Sequence, residues 1–105
     1  MVDNQIILFK FIQIHTNVNW IDISYQYILS ENFIQEFKNK VDWWFISKYQ
    51  TLSENFIREY QDKVSWVNIS IYQKLSENFI REFQNKVNRY CIYKYQKLSK
   101  NYQKI

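Results

Sequence analysis

The segment Leu-Ser-Glu-Asn-Phe-Ile begins at Leu29, at Leu52 and at Leu75, so the chain repeats itself every 23 residues. A worn copy, Leu-Ser-Lys-Asn-Tyr, begins at Leu98. A period of about 20–50 residues marks a tandem array, in which one supersecondary unit is stacked on copies of itself. The period therefore constrains the fold before any single residue is considered.

One unit runs from Trp43 to Ser65 and carries two helix-start signals. At the first, the hydroxyl of Ser30, Ser53 or Ser76 can accept a bond from an unpaired amide of the opening turn. Glu31, Glu54 and Glu77 follow, favourable at the positive end of the helix dipole. Leu29, Leu52 and Leu75 precede the cap, and Ile34, Ile57 and Ile80 hold the fourth helical position. That is the spacing of a hydrophobic staple. The second start repeats the logic. Asn19, Asp42, Ser65 and Asn88 are caps, preceded by Val18, Val41, Val64 and Val87. Ile23, Ile46, Ile69 and Ile92 hold the fourth position.

Two short helices per unit follow, with almost no linker. In the longer, Phe56, Ile57, Tyr60 and Val64 form one stripe at helical spacing; in the shorter, Trp43, Ile46 and Tyr49 do so. Both stripes read as core. Glu54–Arg58, Glu59–Lys63, Glu77–Arg81 and Glu82–Lys86 lie four apart, the spacing of ion pairs on a solvated helix face. The segments Trp43 to Tyr49 and Val67 to Tyr72 are also rich in strand-favouring residues, so a strand-plus-helix repeat is the alternative. Helices of about 8–11 residues are marginal alone and need neighbours. The expected fold is all-α: short helical-hairpin tandem repeats in an α-solenoid-like stack of about 3.5 units. The chain divides as one repeat domain: a degenerate N-terminal cap at 1–19, repeats at 20–42, 43–65 and 66–88, and a partial basic repeat at 89–105.

The ends differ from the middle. Residues 5–14 are more apolar than a repeat helix and read as a cover for the first unit, with room for a strand-like portion. Ile6 stands where Leu29 stands, and Ile7 replaces the serine cap. At the other end Arg89 replaces the repeat tryptophan, Lys100 the glutamate and Gln103 the staple isoleucine. Glu82 is the last acid and six bases follow it, so the positive net charge of the chain, +4, comes from that end, and the residues before Lys86 are slightly acidic in sum. Lys86, Arg89, Tyr93, Lys94, Lys97, Lys100 and Lys104 are the candidate contacts for nucleic acid or another partner. Tyrosines among lysines can stack bases and neutralise phosphates.

Composition excludes much chemistry. With no glycine there is no phosphate-cradling loop. One histidine, His15, and one cysteine, Cys91, support neither a catalytic triad, nor a Cys-His pair, nor a metal site. The carboxylates recur periodically beside bases, unlike a catalytic pair. No enzymatic activity, cofactor or metal is expected. Cys91 reads as a small buried group, and a lone cysteine suits a reducing compartment. No apolar run reaches the roughly 18 residues of a membrane span. The start lacks a basic leader and a cleavage site, so secretion is not expected. The absence of Gly, Pro and Ala beside abundant Ile, Asn, Lys, Tyr and Gln points to an AT-rich genome.

The pattern Trp-x-x-Ile-Ser-x-x-Gln-x-Leu-Ser-Glu-x-Phe-Ile-x-x-Phe-x-x-x-Val-Asp resembles short tandem repeats encoded by giant DNA viruses of amoebae. Trp43, Ile46, Ser47, Leu52, Ser53, Phe56, Ile57 and Val64 carry the resemblance, which spans residues 18–99. It implies an intracellular setting, the host cytoplasm or the virion, and no particular activity. The expected function is a non-enzymatic structural or protein-interaction module, with protein partners that include self-association or larger virion components. Nucleic-acid binding by the basic, tyrosine-rich C-terminal end is the alternative.

Overall fold

A computed structural model of the chain describes residues 4–15 and 17–102. Its elements are α1 (Asn4–Ile14), α2 (Trp20–Gln26), α3 (Glu31–Glu36), α4 (Trp43–Tyr49), α5 (Glu54–Glu59), α6 (Trp66–Tyr72), α7 (Glu77–Glu82) and α8 (Arg89–Tyr95). Among the described residues there is no strand, so the strand-plus-helix alternative falls. Each 23-residue unit supplies two helices, one opening on its tryptophan and one on its serine-glutamate pair.

The caps act at the expected places. Ser30, Ser53 and Ser76 each accept from the amide three residues on, at 3.1 Å. Asn19, Asp42, Ser65 and Asn88 do the same for α2, α4, α6 and α8. The staple residues Leu29, Leu52, Leu75, Ile34, Ile57 and Ile80 are all buried in one apolar cluster. Burying each such side chain contributes roughly 1.5–3 kcal/mol.

The serine-started helix is shorter than its apolar spacing suggests. α5 ends at Glu59, and Tyr60 leaves helical geometry at φ −104° and ψ 29°. One further turn follows, closed when the Val64 amide donates to the Tyr60 carbonyl at 3.1 Å. Phe56, Ile57, Tyr60 and Val64 are all buried, but across a helix and a turn rather than along one helix. Trp43 and Trp66 tie this turn to the next helix, their indole Nε1 donating to the carbonyls of Lys38 and Gln61 at 2.9 Å.

The charge pattern is corrected too, for two of its four pairs by that break. Among the described residues none of the four pairs spaced four apart forms an ion pair. Lys63 and Lys86 lie beyond the ends of α5 and α7, no longer one helical turn above their glutamates. The two ion pairs observed join neighbouring units instead. Arg58 grips Glu82 with Nε and Nη2 at 2.9 and 2.8 Å, and Lys86 approaches Asp62 at 3.7 Å.

The tryptophan-started helices and their counterpart α8, which opens on Arg89, pack in chain order, α2 on α4, α4 on α6 and α6 on α8. Ile46, Ile69 and Ile92 lie fully buried on their inner side. The result is a rod-like stack of 52 × 28 × 21 Å.

Three polar ladders run along the stack. In the first, the amide of a buried glutamine clasps the previous unit. Gln73 Nε2 donates to the carbonyls of Ser47 and Gln50 at 2.9 and 2.6 Å, while its Oε1 accepts from the Leu52 amide at 3.0 Å. Gln50 and Gln96 repeat this one unit on either side. In the second, Ser24, Ser47 and Ser70 accept from the amides of Asp42, Ser65 and Asn88, the residues that close each unit and cap the first helix of the next, at 2.9–3.0 Å. In the third, a glutamate carboxylate accepts from both the amide and the hydroxyl of the corresponding serine 22 residues on. Glu31 does so for Ser53, Glu54 for Ser76 and Glu77 for Ser99.

The third ladder has a consequence for acid stability. The Ser99 amide and hydroxyl hold the Glu77 pKa below its ordinary value, and the Arg58 guanidinium does the same for Glu82. A carboxylate with a lowered folded pKa stabilises the fold above the unfolded value, here 4.5, and loses that contribution as pH falls through the folded value. The melting temperature is therefore expected to drop on acidification below pH 4.5, and Glu77→Gln to make this acid limb shallower. Thermal scans from neutral pH downward check it; an unchanged limb would show that the ladder contributes nothing.

The N-terminal cover is helical throughout Asn4–Ile14, with no strand-like portion. It does not follow the repeat frame. Ile6 is 51% exposed, and Leu8 is the residue buried against the first unit. Gln5 takes the place of a preceding repeat: its Oε1 accepts from the Ser30 amide and its Nε2 donates to the Ile28 carbonyl. At the C-terminal end Leu98 and Tyr102 still pack on the core, and the Arg81 guanidinium stands 4.6 Å over the Tyr102 ring. Gln103 lies outside the described residues.

Candidate interaction surface

Helical geometry gives each tryptophan-started helix an outer side. Residues two before or two after Ile46 lie about 200° round the helix from it. These are Trp44 and Lys48, so both point away from the core that Ile46 enters. The outer positions repeat as Ile21, Trp44, Val67 and Tyr90, and at the helix ends as Tyr49, Tyr72 and Tyr95. All seven are about half exposed or more.

The rings meet one another along the stack. Tyr25 of one unit lies 5.5 Å from Phe45 and 5.7 Å from Tyr49 of the next. Phe45 and Tyr49 are near-parallel at 12° and 6.1 Å. Lys48 Nζ sits 5.1–5.3 Å from the ring centres of Trp44, Tyr49 and Tyr72, the last in the following unit. Lys94 holds the same place two units later, 5.5 and 5.4 Å from Tyr90 and Tyr95. Hydrogen bonding to Tyr49 raises the pKa of Lys48, and hydrogen bonding to Tyr90 raises that of Lys94, so both ammonium groups stay charged at neutral pH.

The sequence-derived candidates do not form one patch. Lys94 joins the aromatic face. Arg89 opens α8 and is exposed, as are Lys97 and Lys100 beyond its end. Tyr93 is half-buried, in the position that Ser24, Ser47 and Ser70 hold in the serine ladder. Lys86 belongs to the turn after α7 and faces Asp62, away from Lys94's ring partners. Lys104 lies outside the described residues. Reading Tyr49 as core is corrected, since the residue is 49% exposed. Trp44 and Lys48 were not legible as candidates because every unit carries an outward residue there and its type changes from unit to unit. The signal lay in the comparison between units: an apolar or aromatic residue recurs at a position that the core cannot use.

Two grooves flank α1. One, of about 510 Å³, is walled by Ile7, Leu8, Phe11, Tyr27 and Ile28 with Gln5 at its edge. The other, of about 620 Å³, lies against Ile6, Phe9 and Phe33. Among the described residues no helix is long and apolar enough to cross a membrane, and no three or more His, Cys, Asp or Glu side chains gather as a metal site would need. Cys91 is buried in α8 at the position of Phe45 and Asn68. Compared with known protein families, curated proteins and solved structures, the chain matches none.

Proposed function

We propose that the chain is a non-enzymatic protein-binding repeat module whose contact surface is the outer side of α2, α4, α6 and α8. The observation that carries this reading is the exposed row of Trp44, Tyr49, Tyr72, Tyr90 and Tyr95 on a scaffold whose buried glutamines Gln50 and Gln73 bond neighbouring units. Trp and Tyr dominate the energetics of protein interfaces because they bury large area at little entropic cost. Clustered apolar surface on a folded chain marks an interaction site. The resemblance across residues 18–99 supports a setting in the virion or the host cytoplasm, with a structural role among larger components.

A photo-crosslinking amino acid placed at Tyr49 and, separately, at Asp62 tests the reading in the native source. Protein adducts are expected from position 49 and not from 62. Nucleic acid crosslinked at 49, near Lys48 and the aromatic row, would instead favour the nucleic-acid reading that Lys94, Lys97 and Arg89 motivate. Equal protein adducts at both positions would remove the assignment of the face.

A further inference from the structure

We infer that the partner reaches this face through an extended acidic segment bearing a large apolar side chain at every third residue. The inference rests on the protein-binding reading and adds the partner's chemistry.

Charge is the first argument. Residues 20–28, 43–51, 66–74 and 89–97 build the aromatic face and the loops leaving it. They contain five bases, Lys48, Lys74, Arg89, Lys94 and Lys97, against a single acid, Asp22. The intervening segments 29–42, 52–65 and 75–88 carry eight acids and six bases. Acids are thus sorted to the serine-started side, where the glutamates hold the ladder and Arg58, and the aromatic face is left positive. A complementary partner is negative.

Spacing is the second argument. Packed helices lie about 8–10 Å apart, so equivalent outer positions such as Trp44, Val67 and Tyr90 recur at that interval. A polyproline II strand advances about 3.1 Å per residue and returns to the same side every three residues, about 9 Å on. One apolar anchor per unit with acids between them fits both the rings and the lysines.

Ring geometry separates peptide from nucleic acid. Base stacking needs open ring faces. Here Lys48 lies over Trp44, Tyr49 and Tyr72, and Lys94 over Tyr90 and Tyr95. Each of these rings thus has an ammonium group beside it, which competes with a stacked base and offers a carboxylate a partner next to an apolar surface.

The test uses the full chain and fluorescent peptides of roughly five Phe-Glu-Glu units, a length that spans the stack. Controls are the Phe-Gln-Gln analogue, a Phe-Glu-Glu-Glu analogue and oligothymidylate. Phe-Glu-Glu is expected to bind, and about tenfold more weakly as salt rises from low to physiological. Trp44→Ala, and Lys48→Gln with Lys94→Gln, are each expected to weaken it about tenfold, while Lys63→Gln on the other side leaves it unchanged. Unaltered circular dichroism of each variant shows that the surface and not the fold was changed. Equal binding of Phe-Gln-Gln overturns the acidic assignment, and equal binding of Phe-Glu-Glu-Glu overturns the spacing. Failure of every peptide, beside a protein adduct at position 49, overturns the partner chemistry and leaves the protein-binding reading standing. Displacement of Phe-Glu-Glu by oligothymidylate, with no protein adduct, overturns both.

Discussion

Replacing Gln73 by leucine is expected to destabilise the protein by about 3–5 kcal/mol, read from urea denaturation followed by circular dichroism. Gln73 is only 5% exposed, and its side chain satisfies three backbone groups of the previous unit. Leucine fills a similar volume, so little of the loss comes from a cavity. What remains is the Leu52 amide and the Ser47 and Gln50 carbonyls, left inside without partners at about 1–3 kcal/mol each where water cannot reach. A chain of this size holds about 5–15 kcal/mol in total. Stability in a repeat stack is a sum of unit terms and nearest-neighbour interfaces, and this substitution weakens the central interface. Gln96 makes the same three bonds at the end of the ladder but is half-buried, and its bond from the Leu75 amide is longer, at 3.3 Å. Gln96→Leu is therefore expected to cost less than half as much. Equal, small losses at both positions would show that water replaces the glutamine and that the ladder is decorative.

The glutamine ladder also marks the limit of what the sequence makes legible. A capping serine acts three residues along the chain, so Ser53 and Phe56 can be paired from letters alone, as can Asp42 and Phe45. Gln73 acts on residues 21–26 positions away, and nothing local distinguishes it from a solvated glutamine. Glu54 shows the ambiguity most clearly. One letter serves the dipole of its own helix and the Ser76 cap of the next unit, and only the stack reveals the second. The end of α5 was hidden for a related reason. Cap chemistry says where a helix starts, whereas Tyr60 keeps its ring buried on either side of a break, so the apolar stripe reads straight through. Arg58 then reaches Glu82 rather than Glu54. In the aromatic pair Trp43–Trp44 the letters are identical, and only the helix phase sends one inward and the other out.

Leu52→Asp is expected to abolish cooperative folding, with loss of most helical circular dichroism at neutral pH. Leu52 is 6% exposed, lies just before the Ser53 cap, and shares the core with Phe56 and the fully buried Ile57. An aspartate there removes the staple and leaves a carboxylate in apolar surroundings with no basic partner, a cost of several kcal/mol even after relaxation. Thr51→Asp is the matched control. It places the same charge one residue earlier, at an exposed position, and is expected to change stability by no more than about 0.5 kcal/mol. The loss should also extend far beyond α5. Helices of six or seven residues do not persist alone, so once the central unit fails, α2, α3, α7 and α8 lose the neighbours that hold them. Retained helicity in Leu52→Asp, with a cooperative melt, would mean that leucine before the serine does not set the helix start, and that the recurring Leu-Ser-Glu-Asn-Phe-Ile is kept for its outward face instead.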